Sequence, residues 1–140
     1  MKMNDTEHIR QKPEISISTS DHARLTMLAD AIAERDAALA DDLFGELERA
    51  RIVADDLISE AIARMGSRIS FKDDKGVERT VTLVFPNDAD IAEGKLSILT
   101  PVGTALIGLS AGQSILWTAR DGQRHELTVL DVNMSEKHFA

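Results

Sequence analysis

The stretch LTPVGTALIGLSAGQSILW, residues 99–117, decides how the whole chain is read. Pro101 has no amide proton and a fixed backbone torsion, which suits a residue that ends a strand and opens a helix. Gly103 permits close backbone approach, and Ala105, Leu106, Ile107 and Leu109 follow as small and branched aliphatics. The pattern predicts a strand over 95–99, a short apolar helix over 102–109 packed on a concave sheet, and a strand over 113–119. Working outward, the Asp121-Gly122 turn opens a last strand over 123–133. Upstream, SRISFKDDKGVERTVTLVF has period two and predicts strands over 67–72 and 77–85, joined by Asp73-Asp74-Lys75-Gly76 and stopped by Pro86.

Before residue 67 the period is helical. Ile15 and Ile17 alternate with polar residues as a short extended segment, and Ser20 with Asp21 is a helix-start signal. Leu25, Leu28, Ala29 and Ile32 form one apolar stripe, and Leu39, Leu43, Leu47 and Ala50 a second. A single helix would set charged residues on the seam, whereas a reversal near Glu34 to Ala37 lets the stripes face each other. An antiparallel hairpin is therefore expected, its helices about 14 residues and roughly 21 Å long. A third helix is expected over Leu57, Ile58, Ala61, Ile62 and Met65, ended by Gly66. The fold class is α+β: a short helical hairpin, or coiled-coil arm, over 14–66, then an antiparallel sheet domain embracing one helix over 67–133. Residues 1–13 are expected to be a mobile lead and 134–140 a frayed tail.

Composition narrows the function classes. The 140 residues suit one globular unit with a small appendage, and 43% hydrophobic with 29% charged residues is ordinary for a folded domain. Without cysteine there is no disulfide framework, zinc ribbon or thiol nucleophile. No apolar run is long enough to span a bilayer and the N-terminus is polar, so a cytoplasmic protein without membrane contact is expected. A net charge of −8 disfavours direct nucleic-acid binding and suits either simple solubility or a basic protein partner.

Chemistry-bearing constellations are absent from the sequence. There is no GxSxG elbow, no phosphate-binding GxxxxGK[ST] segment and no convincing metal-ligand spacing. His8, His22, His125 and His138 are scattered among polar residues, which argues against a phosphorylatable histidine in a nucleotide pocket. No catalytic residue, metal or cofactor is expected. The chain carries only five aromatic residues, Phe44, Phe71, Phe85, Trp117 and Phe139, and Trp117 is expected to be packing.

GKLSILTPVGTALIGLSAGQSILW followed by DGQRHELTVLDV resembles the C-terminal domain of the bacterial Gre transcript-cleavage factors, whose fold is similar to the FK506-binding-protein type. ADDLFGELERA at 40–50 and the SRISF strand resemble still more closely the Rnk family of regulators of nucleoside diphosphate kinase. In Gre factors a long coiled coil enters the secondary channel of RNA polymerase and acidic residues at its tip help hold magnesium. The resemblance places Glu34, Arg35 and Asp36 at the arm tip, and the short arm implies no reach to the polymerase active centre. It places Thr100 and Pro101 in the polymerase-docking turn, with Leu99 and Val102 flanking. Leu99 departs from the often acidic residue there, and Gln113 replaces a common Asp. The resemblance implies a monomeric regulator that binds RNA polymerase near the secondary channel, competes with Gre-like factors, meets nucleic acid only through polymerase, and does not cleave transcripts. The alternatives are a cleavage-stimulating Gre-type factor with an acidic tip, and a peptidyl-prolyl isomerase. A dimer stays open if the arm is one continuous helix.

Overall fold

The computed structural model describes residues 12–134. Strand β1 (Ser16–Ser18) leads into helix α1 (Thr19–Ile32), a tight reversal, helix α2 (Ala37–Arg49) and strand β2 (Arg51–Val53). Strands β3 (Ser67–Asp73), β4 (Glu78–Val84) and β5 (Lys95–Ser97) precede helix α3 (Pro101–Leu106), and β6 (Ser114–Thr118) and β7 (Arg124–Met134) close the chain. The five longer-range strands form one sheet in the order β5-β4-β3-β7-β6, while β1 and β2 pair separately and in parallel.

The hairpin forms where expected. Ser18 caps α1 by accepting from the Asp21 amide at 3.1 Å, two residues earlier than the predicted start at Ser20. Asp36 caps α2 by accepting from the Leu39 amide at 3.1 Å, and the reversal between is closed by Arg35 and Asp36 amides bonded to the Ile32 carbonyl. Leu25, Ala29 and Ile32 face Leu39, Leu43 and Leu47, all buried.

The arm does not stand apart from the sheet. Its basal residues Leu25, Ala29, Leu43 and Leu47 share one core with Ile69, Leu83, Ile98, Leu106 and Val129. Arg24 of α1 lies over the Phe85 ring, 4.2 Å from its centroid. Gly108 shows why β1 is held so closely: at φ +84° its position has no room for a Cβ, which would lie 2.7 Å from the Ile15 Cβ.

Two expectations are corrected and one strand is added. Residues 57–65 make turns instead of a helix, because the Ala63 amide donates to the Leu109 carbonyl at 2.8 Å and the Gly108 amide to the Ala63 carbonyl at 2.8 Å. The Ser59 hydroxyl competes locally by accepting from the Ala61 amide, and Leu57, placed on the apolar face, is 76% exposed. The sheet is mixed rather than wholly antiparallel: after two 3₁₀ turns at Pro86–Asp88 and Ile91–Glu93, β5 returns parallel to β4. Strand β2, which had no assignment, pairs Ile52 with Ile17. Met1 to Gln11 and residues 135–140, most of the expected lead and tail, lie outside the described residues, as do His8, His138 and Phe139. Of that lead, Lys12 and Pro13 are described, and the Lys12 Nζ lies 2.6 Å from Glu46. No helix among the described residues is long and apolar enough to cross a membrane.

Candidate docking site

The 99–102 turn is built by short side chains bonding their own backbone. Thr100 caps α3, its hydroxyl accepting from the Gly103 amide at 3.0 Å and donating to the Ser97 carbonyl at 2.8 Å. Ser97 Oγ accepts from the Leu99 amide at 2.9 Å, and the buried Thr104 hydroxyl donates to the Ile98 carbonyl at 2.9 Å. Pro101 begins the helix, where a missing amide costs nothing. A Cβ on Gly103 would collide with the Ser97 carbonyl oxygen, so the strand and helix meet at backbone distance. The result is a turn whose shape is fixed by its own hydrogen bonds.

Leu99 and its neighbours point in different directions. Leu99 is half-buried and packs on both the main core and the distal arm cluster of Ile32, Leu39 and Ala40. It joins the turn to the arm. Pro101 lines a groove of about 210 Å³ with Asp42, Glu46, Leu116 and Trp117, whereas Val102 lines a second of about 230 Å³ with Phe71, Val81, Leu96, Trp117 and His125. Pro101 and Val102 thus form a ridge between two grooves that share Trp117.

At the arm tip, Glu34 and Arg35 are exposed, while Asp36 is half-buried and spends a carboxylate oxygen on the α2 cap. No group of three or more His, Asp or Glu residues disposed to hold a metal ion occurs among the described residues. The acids nearest the tip are therefore not assembled into a ligand cluster.

Several features were not legible from the sequence. Trp117 stacks on His125 with ring centroids 5.1 Å apart, and His125 Nδ1 lies 3.4 Å from Asp74, so the second groove has an aromatic floor despite the sparse aromatics. Glu46, on the polar face by residue type, is buried between Lys12 and Arg49, whose Nε donates at 2.9 Å; Arg49 also reaches the Pro13 carbonyl. Asp21 is buried at the junction of arm and sheet, accepting from the Met65 amide at 3.1 Å. Burial pushes its carboxyl above the usual range, a rise opposed by that amide and by Arg64 and Arg24. His22, half-buried, meets the Leu47 carbonyl at 3.0 Å across the hairpin.

Comparison with known proteins places both halves. Residues 58–134 match the family described as transcription elongation factor GreA/GreB, C-terminal, and residues 13–53 match the Rnk N-terminus. The regulator of nucleoside diphosphate kinase of Escherichia coli K12 is 34% identical over 122 residues, 86% of this chain and 90% of that one. Transcription elongation factor GreA of Amoebophilus asiaticus is 33% identical over 106 residues, 75% of this chain and 65% of that one. A solved GreA/GreB-type elongation factor of Nitrosomonas europaea superposes with a TM-score of 0.68 at 35% identity, covering 86% of this chain and 99% of that one. With an Rnk arm, a Gre-type sheet domain and a relative matched over nearly its full length, the chain belongs to the family of regulators of nucleoside diphosphate kinase.

Proposed function

We propose that the chain is a noncatalytic regulator that docks on bacterial RNA polymerase near the secondary channel through Leu99 to Val102, competes there with Gre-like factors, and does not stimulate transcript cleavage. The observation that carries this reading is the closure of the arm's distal cluster, Ile32, Leu39 and Ala40, on Leu99. An arm of 14- and 13-residue helices pinned at that point keeps Glu34 and Asp36 beside the sheet domain. Cleavage chemistry would need carboxylates delivered to a magnesium ion far from the docking turn. The preformed turn supports docking because a rigid surface loses little entropy on association.

The test is transcript cleavage in a backtracked complex, with and without a Gre factor. The chain alone leaves the transcript intact, and added in excess it suppresses Gre-stimulated cleavage. Cleavage by the chain alone that is lost in Glu34→Ala/Asp36→Ala would establish the Gre-type reading instead. One observation favours a second reading, peptidyl-prolyl isomerisation: Phe71, Val81, Leu96, Val102 and Trp117 give one groove an apolar, aromatic wall, beside Asp73, Asp74, Lys75, Arg79 and His125. Accelerated cis-trans exchange of a proline peptide, lost in Trp117→Ala, would support it.

A further inference from the structure

The turn between β3 and β4 borders the second groove and is bonded mainly to itself. The Asp73 carboxylate accepts from the Lys75 and Val77 amides, each at 2.9 Å, and the Gly76 amide donates to the Asp73 carbonyl at 3.0 Å. Among the described residues, the ion pair that ties this turn to another element is Asp74 Oδ2 with His125 Nδ1 of β7, at 3.4 Å. His125 in turn stacks on Trp117 of β6, the rings tilted by 31° with centroids 5.1 Å apart. Asp74, His125 and Trp117 all line the groove of about 230 Å³. The imidazole is thus the middle link between the turn and the aromatic floor.

Both of its contacts depend on its charge. A neutral imidazole offers Asp74 one N–H at most, and offers Trp117 an ordinary ring contact. An imidazolium gives Asp74 an ion pair and gives the indole a cation within the roughly 6 Å over which that attraction acts. The two contacts strengthen together. Of the other charged groups in the groove, Asp73 favours the imidazolium, while Lys75 of the turn and Arg79 of β4 oppose it. Asp73 is already committed to the turn amides, which leaves Asp74 as the carboxylate on the ring. On β7 itself Arg124 and Glu126 flank His125 with opposite signs, and β6 and α3 carry no titratable side chain.

We infer that His125 is a pH-sensitive clasp on this groove. Charged, it fastens the turn to Trp117 and narrows the groove; neutral, it leaves the turn held by β3 and β4 alone and the groove open. Its working range is that in which imidazoles exchange protons, about pH 5 to 8. The clasp requires neither polymerase docking nor isomerase activity, and it controls access to a groove whose wall includes Val102.

Trp117 is the only tryptophan in the chain, so its fluorescence reports on this site alone. The full chain is titrated from about pH 8 to about pH 5, following the His125 imidazole and the amides of residues 74–76 by NMR and Trp117 by its emission. All three are expected to change with one midpoint, and collisional quenching of Trp117 by acrylamide to fall about twofold on the acid side. Asp74→Asn keeps the turn, whose bonds Asp73 makes. It is expected to bring the His125 midpoint down by about 0.3 pH units and to free the turn amides and acrylamide access from that titration. In His125→Gln the response of Trp117 is expected to vanish; should that variant not fold, Asp74→Asn, altered only at an exposed turn, decides. Emission or acrylamide access that does not follow His125, a response that survives in His125→Gln, or an unchanged midpoint in Asp74→Asn would overturn the inference.

Discussion

At Gly103 the chain admits no side chain, since a Cβ would strike the Ser97 carbonyl, which is already committed to the Thr100 hydroxyl. Gly103→Ala is expected to cost about 1–3 kcal/mol in denaturant unfolding, because neither β5 nor α3 can retreat without breaking the turn. The glycine was legible in the sequence as a point of close approach, and the carbonyl that it approaches was not. Asp21 is a different case. Its folded-state carboxyl titrates above the ordinary 3.8, so its contribution to stability is fully present below that value and is lost as pH rises through the folded value. Asp21→Asn fixes the neutral form and retains an oxygen for the Met65 amide. The variant is expected to be more stable than the parent at neutral pH, with the difference vanishing as pH falls below the ordinary carboxylate range. A pH-independent difference in unfolding midpoint would contradict that account. Nothing in the local sequence identified Asp21 as buried, because its partner lies 44 residues away.

Among the elements, the arm is the best test of how sequence becomes structure. Its stripes were legible because period 3.6 over 14 residues leaves few alternatives, and its reversal because continuing the stripe would bury charge. Residues 57–65 carried the same apolar spacing and still formed no helix, since the Ala63 amide is taken by the Leu109 carbonyl and the Met65 amide by the Asp21 carboxylate, contacts no window of sequence contains. The parallel return of β5 was hidden for a similar reason: three residues cannot announce their direction. Two substitutions probe the arm. Asp36→Ala removes the α2 cap and is expected to lower stability by about 1 kcal/mol, seen as a lower thermal midpoint with the hairpin retained. Leu99→Asp places a charge against Ile32, Leu39 and Ala40. It is expected to cost about 2 kcal/mol or more and to raise amide exchange across the reversal at 33–36, whereas exchange unchanged there would show that Leu99 does not hold the arm.

For the whole molecule, one core runs from the arm base through the sheet, so turn, arm and grooves are positioned by the same packed residues. Family and fold were legible because the 99–117 stretch constrains order, spacing and turn chemistry together. The Pro101–Val102 ridge was legible only as a position in the chain. That Pro101 and Val102 separate two grooves sharing Trp117 depends on how α3 sits across β6, which emerges from packing. The most direct measurement is equilibrium binding of the chain to purified bacterial RNA polymerase core, wild type beside Pro101→Asp, each first shown to be folded. The account predicts binding by the wild type and at least about tenfold weaker binding by Pro101→Asp, a difference of about 1.4 kcal/mol. Equal binding by the two proteins, or none by the wild type at micromolar concentration, would contradict it.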